Sequence, residues 1–363
     1  MTTRINIGPI HPSTHGVLRL VVELDGDTIV SVEPHIGFMH RGVEKLVETR
    51  TYMQSAGYIE KLDYVAPMAC DDAYVAAVEQ AMGIEVKERA KYVRTVLLEL
   101  QRIASHLLWL GTMLNDLGQF FTVFMWTFKD RDLILRLLEE QAGARMFYVN
   151  IRPGGMFRDL PRDFEEQTLS TLDYFEKRVR EYEHYIESNE IFTERTKGIG
   201  VLSGKEAIAL GVTGPVLRAS GVNYDVRSNM PYYAYSELGF RPQVLTSGDS
   251  FARYKVRMLE IKESIRIVRE GLKKMPAGDS QGLPIKLILP SAKNRIVSVS
   301  RETPRGEMFL YMVADPQRPY RLSIRSPSFI NLSALNTMAK GMHLADLFAI
   351  LGSLDLVMPD VDR

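Results

Sequence analysis

Two of the chain's seven histidines stand in Gly8-Pro9-Ile10-His11-Pro12-Ser13-Thr14-His15-Gly16, bracketed by two prolines and two glycines. Pro12 fixes its own φ and holds His11 extended, and Gly16 lets the chain turn. An imidazole titrates near neutral pH, so a stiff loop of this kind can deliver a proton or a hydrogen bond to a fixed point. The same nine residues also suit a plain turn with solvated histidines. Pro34-His35-Ile36-Gly37-Phe38-Met39-His40-Arg41-Gly42 adds two more histidines and an arginine. Asp116 falls in the most hydrophobic part of the chain, where a buried carboxylate needs a partner or takes up a proton. Its alternative is a helix-capping aspartate before Leu117-Gly118. Tyr64, within Lys61-Leu62-Asp63-Tyr64-Val65, reads equally as a core tyrosine, His106 as a core histidine, and Arg41 as a solvated or salt-bridged helix start.

The elements that must position these groups follow from periodicity. Val17 to Leu24 alternates, Asp25-Gly26 is a hairpin turn, and Thr28 to Glu33 returns, so the two-histidine loop leads into a β-hairpin. Helices are expected over Val43 to Thr51, Leu62 to Met82, Lys87 to Leu114, Phe120 to Ala142, Asp163 to Asn189 and Asp249 to Met275. Arg152-Pro153-Gly154-Gly155 is a hard break, and Phe192 to Pro242 is mixed. Short strands are expected at Ile285 to Leu289, Ile296 to Ser300, Met308 to Val313 and Tyr320 to Ile324. Helical pieces follow at Asn331 to Met338 and Leu344 to Leu351. The expected architecture is α+β: a central helical bundle with small β elements at both ends. The whole chain, 1–363, reads as one domain, with an N-terminal hairpin region over 1–60, a bundle over 61–283 and a small α+β part over 284–363.

Lysine plus arginine and aspartate plus glutamate both number 45, so the formal net charge is zero. That balance argues against nucleic acid as a partner and suits life inside an assembly. The single cysteine, Cys70, excludes a disulfide framework, a structural zinc site and a metal cluster held by this chain alone. The N-terminus has no apolar leader core, and Asn115, Asp116 and Gln119 interrupt the apolar stretch from His106 to Phe128, so a soluble or peripheral chain is expected. Gly200-Val201-Leu202-Ser203-Gly204-Lys205-Glu206 is one residue short of a phosphate loop. No HExxH, GxSxG or strand-following GxGxxG is present.

Taken together, Gly8 to Leu20, Pro34 to Gly37, His40 to Gly42, Glu44-Lys45, Arg102 to Leu107, Gly143 to Met146, Arg152 to Gly155, Leu217 to Gly221 and Val361 to Arg363 resemble a known family. It is the hydrogenase-related catalytic subunit of respiratory complex I, the D type of NADH-quinone oxidoreductase with its archaeal counterparts. The resemblance implies a fold like that of a nickel–iron hydrogenase large subunit. The two cysteine pairs of that ancestor match Asp63 with Ala66 and Val357 with Asp360, so four soft ligands are gone and no metal is expected in this chain.

The resemblance further implies a peripheral-arm component of a proton-pumping oxidoreductase that takes electrons from NAD(P)H or another reduced donor. It would sit on the cytoplasmic side of a prokaryotic membrane. His15 and Tyr64 would hydrogen-bond a quinone headgroup, and Asp116 would pair with His15. Arg41 and Lys61 would lie near the terminal 4Fe-4S cluster of a partner of the B type. Components of the C type, the ferredoxin-like I type and the membrane H type would be further partners. The acceptor would be ubiquinone, menaquinone or a methanophenazine-like molecule. Lys61 stands where many relatives carry arginine, and Phe147 where many carry a histidine whose titration tunes the cluster. Losing that histidine is compatible with a low-potential acceptor. Competing readings are a scaffold subunit that binds no quinone, or a cofactor-free relative in a membrane-bound hydrogenase or sulfur-reductase type complex.

Overall fold

The computed structural model describes residues 2–14, 16–118, 121–148, 150–284 and 295–363. Three antiparallel strands open the chain, β1 (Thr2–Ile7), β2 (Arg19–Asp25) and β3 (Thr28–His35), with β2 in the centre. The Asp25-Gly26 turn is where the sequence places it. Strand β1 is not expected from the sequence: most of its side chains face solvent, so it shows no apolar alternation.

Val43 to Thr51 is not one helix. Helix α1 covers Val43–Val47 and α2 covers Tyr52–Ile59, because Thr51 caps the second: its hydroxyl accepts from Gln54 N while the Gln54 side chain accepts from Thr51 N. Helix α3 spans Pro67–Met82 and does not begin at Leu62. Asp63 Oδ1 accepts the N–H groups of Val65 and Ala66, each at 3.1 Å, and Pro67 opens the helix. Tyr64 therefore stands on a turn ahead of the helix. Helices α4 (Glu88–Asp116), α5 (Phe121–Ala142), α6 (Phe164–Glu187) and α7 (Ser250–Lys274) form the bundle, with α4 packed on both α5 and α7.

Strands β4 (Arg295–Thr303), β5 (Gly306–Ala314) and β6 (Pro319–Arg325) make a second antiparallel sheet in the order β6-β5-β4, laid against α3. The strand expected at Ile285 to Leu289 lies outside the described residues. The expected Asn331 to Met338 piece is divided between α8 (Pro327–Leu332) and α9 (Leu335–Ala339); α10 (Leu344–Leu354) and α11 (Met358–Asp362) follow. The first sheet and these last helices share one apolar core, and the bundle and second sheet share another. The result is the expected mixture of helix and sheet.

The bundle buries charge as well as apolar surface. Arg227 on a short turn after Asp225 bonds Asp225 at 2.7 Å and Glu99 of α4 at 3.0 Å. Arg218 bonds Glu260 of α7 at 2.7 Å and Glu302 of β4 at 2.8 Å. His106 of α4 meets Glu260 at 2.9 Å, and burial pushes its imidazole down to about 4 against the pull of that carboxylate. Removing one partner of a buried pair strands the other in a medium that cannot hydrate it. Arg227→Met is therefore expected to destabilise the chain by about 3–5 kcal/mol, read as a lower urea midpoint with an unchanged slope.

Candidate functional site

The described residues on either side of position 15 are closely packed. Gly8 has φ +84°, and a Cβ there would stand 2.2 Å from the Leu18 carbonyl oxygen. Gly16 has φ +144°, and a Cβ there would stand 2.6 Å from Met358 Cγ. Only glycine fits either position. Between them Thr14 is buried, with Oγ1 at 2.8 Å from the carbonyl oxygens of both His11 and Gly16. The His11 ring stacks on Phe348 of α10 at 5.4 Å between centroids, and its Nδ1 accepts from Ser13 N. His11 is thus a fastening of the loop. His15 lies outside the described residues.

A cavity of about 210 Å³ opens beside this loop. Pro12 of the loop, Tyr64 and Val65 of the turn before α3, Leu108, Trp109 and Thr112 of α4, Arg305 of the β4–β5 turn, and Asp355, Leu356 and Val357 between α10 and α11 line it. It exceeds the ~150 Å³ of an engineered apolar cavity that holds benzene, so one substituted six-membered ring fits. Tyr64 keeps 37% of its surface exposed. Burial raises its phenol above the ordinary range; Arg305 pulls it back down, while Asp63 and Asp355 push it up. Burial is the largest of these influences, and Arg305 is the one that opposes it.

Behind the tyrosine lies a compact charge cluster. Arg305 Nη1 bonds Asp63 Oδ2 at 2.6 Å and Ser105 Oγ at 3.2 Å, and Nη2 stands 3.5 Å from Asp355 Oδ1. Asp355 also faces Arg257 Nε at 3.8 Å. Asp360 accepts Ser328 N at 3.1 Å; burial, with Asp63 nearby, raises its carboxyl to about 6. Asp63 and Asp360 both act on buried Cys70, whose thiol burial pushes well above its usual range. The segments Lys61 to Pro67 and Asp355 to Asp360, far apart in sequence, therefore meet here. Among the described residues no group of three His, Cys, Asp or Glu side chains is arranged to hold a metal ion.

Asp116 stands at the end of α4, one turn beyond Thr112, and is half-buried. A Cβ on Gly352 of α10 would lie 3.6 Å from its Oδ2, so its carboxylate leans toward the helix that carries the loop. Arg41 and Lys61 are brought together: Arg41 Nη2 donates to Lys61 O at 3.0 Å. Lys61 Nζ stands 6.0 Å over the Phe147 ring. Both Arg41 and Lys61 are exposed.

Sequence reasoning misses Arg305, Thr112 and Trp109. Trp109 carries no signal beyond its apolar helix periodicity, yet its indole N–H donates to Gly352 O at 2.8 Å and so fixes α10 on α4. For Arg305 the only local hint is the strand-turn residue Gly306.

Residues 116–301 and 289–363 match the family model described as respiratory-chain NADH dehydrogenase, 49 kDa subunit. Over 360 residues the chain is 46% identical to the D subunit of NADH-quinone oxidoreductase from Dehalococcoides mccartyi, covering 99% of this chain and 98% of the relative. It is 44% identical to the same subunit of Desulforamulus reducens over 359 residues, 99% and 97% of the two chains. The counterpart in Citrifermentans bemidjiense is 42% identical over 383 residues, 99% and 98% of the two chains. The chain belongs to the family of the 49 kDa, or D, subunit of respiratory-chain NADH dehydrogenase.

Proposed function

We propose that the chain forms the quinone-headgroup site of an NADH-quinone oxidoreductase of the complex I type and helps couple electron transfer to proton translocation. The supporting observation is the cavity itself. It takes the histidine loop, Tyr64 and the upper turn of α4 from three distant parts of the chain and places them around a ring-sized space. Reduction of a quinone puts negative charge on both ring oxygens, so hydrogen-bond donors must already stand where that charge develops. Tyr64 supplies one. His15, on a loop fastened at His11, Thr14 and Gly16, supplies the other, with Asp116 holding its imidazole.

The two segments that resemble hydrogenase cysteine motifs meet at this cavity, with Tyr64 and Val65 on one wall and Leu356 and Val357 on another. That juxtaposition supports descent from a hydrogenase large subunit whose metal pocket became a substrate pocket. Arg41 and Lys61 form an exposed cationic pair near the Tyr64 turn. This suits a partner of the B type carrying a terminal 4Fe-4S cluster, since a fixed cation favours the reduced, more negative state. Components of the C, I and H types would complete the surroundings. No described helix is long and apolar enough to cross a membrane; the chain would take a peripheral place on the cytoplasmic face. The acceptor would be ubiquinone, menaquinone or a methanophenazine-like molecule, and the single-ring headgroup of the first is the one this cavity holds whole.

In the assembled complex, Tyr64→Phe and His15→Ala are each expected to leave reduction of the iron–sulfur chain intact while slowing reduction of a short-chain quinone by on the order of a hundredfold. Rapid-mixing measurement of the two steps separately checks this; unchanged quinone reduction in both variants rules the site out. Asp116→Asn is expected to lower the protons moved per electron in sealed vesicles, and a full stoichiometry would remove Asp116 from the coupling.

A further inference from the structure

The Tyr64 wall of the cavity holds a fixed cation that the headgroup assignment leaves without a role. Arg305 is only 1% exposed, yet it edges the cavity beside Tyr64. Its Nη1 is held by Asp63 and Ser105, and its Nη2 faces Asp355. Its buried Nε has no hydrogen-bond partner among the described residues. A guanidinium pinned at one edge by two different strands of chain cannot swing away, and it never loses its charge. We propose that Arg305 is a positioning group that acts through Tyr64: it makes the phenol a better acid by stabilising the negative charge left on its oxygen when the proton departs.

The proposal rests on the headgroup reading and adds to it the source of acidity. Two electrons reach the quinone ring from the reduced iron–sulfur carrier of the complex, and each ring oxygen takes up one proton. At the Tyr64 side the phenolic O–H bond breaks, its electron pair stays on the phenolic oxygen, and a new O–H bond forms on the ring oxygen. A proton taken up from the surrounding solution restores the phenol afterwards, so the protons that end on the ring are replaced. A tyrosine is a weak acid, so proton donation is slow unless the phenolate is stabilised as it forms.

The groups facing Tyr64 come from each wall. Asp63 sits on its own turn, Arg305 on the β4–β5 turn, and Asp355 beyond α10 with Arg257 behind it. Asp360 lies deeper, next to Asp63. Among the described residues, Arg305 alone is a cation on the cavity wall, and the attraction is mutual: Tyr64 also favours the charged guanidinium. Asp63 and Asp355 both oppose ionisation of the phenol. Their role is to keep Arg305 in place.

The test uses the assembled complex, a short-chain quinone as acceptor, and separate readouts for cluster reduction and quinone reduction. Arg305→Met is expected to slow quinone reduction by on the order of tenfold or more with cluster reduction unchanged, and Arg305→Lys to slow it less. Replacing Tyr64 by a ring-fluorinated tyrosine, a more acidic phenol, is then expected to recover most of the loss in the Arg305→Met complex. It should do little in the parent complex. A loss that the more acidic phenol does not recover is structural and overturns the proposal, as does a parent rate in Arg305→Met. Should Arg305→Met fail to assemble, Arg305→Gln, which is neutral yet can still hydrogen-bond Asp63, carries the same rescue test with the same two overturning results. Full quinone reduction in Tyr64→Phe would also overturn the proposal, and full reduction in both Tyr64→Phe and His15→Ala would overturn the headgroup reading beneath it, whatever the Arg305 variants do.

Discussion

Buried arginine is the constraint on which the rest of this structure depends. Arg94, Arg102, Arg218, Arg227, Arg253, Arg257 and Arg305 are all withdrawn from solvent. None can shed its charge, so each must find carboxylates or carbonyl oxygens, and those partners come from different elements. Glu99 of α4 answers Arg227 and Arg102; Glu260 of α7 answers Arg218 and His106; Arg102 also donates to the carbonyls of Glu302 and Thr303. Arg253 donates to Gly248 O, Gly200 O and Ser353 Oγ. Apolar packing would tolerate small slips between helices. A directional, desolvated ion pair does not, so these contacts set the register in which α4, α7 and the second sheet meet.

The cavity is a consequence of that register. Its walls are Arg305, held by Asp63 from behind, together with Tyr64, α4, the Asp355–Val357 stretch and the Pro12 end of the N-terminal loop. Each wall is tied to the next: Trp109 to Gly352, His11 to Phe348, Gly16 to Met358. Walls tied to one another in this way are the kind of framework in which preorganised donors are effective.

Much of this is legible in the sequence, and what is not has physical causes. The long helices α4, α6 and α7 are visible because their apolar residues recur at helical spacing against a polar face, and their observed ends fall within a few residues of those read from the periodicity. Strand β1 carries no such signal, since an edge strand open to water has no need of alternation. The turn at residues 61–66 reads as helix because Asp63, Tyr64 and Val65 are locally neutral; only the capping bonds from Asp63 show the backbone arrested there. At the site, family resemblance points to Tyr64 and Asp116. It does not reach Arg305, whose meaning lies in Asp63, 242 residues distant along the chain. Arg41 and Lys61 stand apart in the sequence, and their direct contact emerges only in three dimensions.

The Asp362 carboxylate receives the N–H groups of Gly37 and Met39 at 2.8 and 2.6 Å, and the Asp362 carbonyl oxygen lies 2.7 Å from His40 Nδ1. These bonds join residues more than 320 positions apart. Strand β3 is likewise bonded to a distant part of the chain, through Ile29 with Gly341 and Met342. During synthesis, then, the bundle can collect its core while the pocket is still only half enclosed. The wall that includes Asp355 and Val357 is made long after Tyr64 on the facing wall, and the Asp63–Arg305 pair beside it already joins residues 242 positions apart. Closing so long a loop is slow relative to local helix formation. The pocket is therefore a high-contact-order part of the fold, and its walls close after the local helices that carry them have formed.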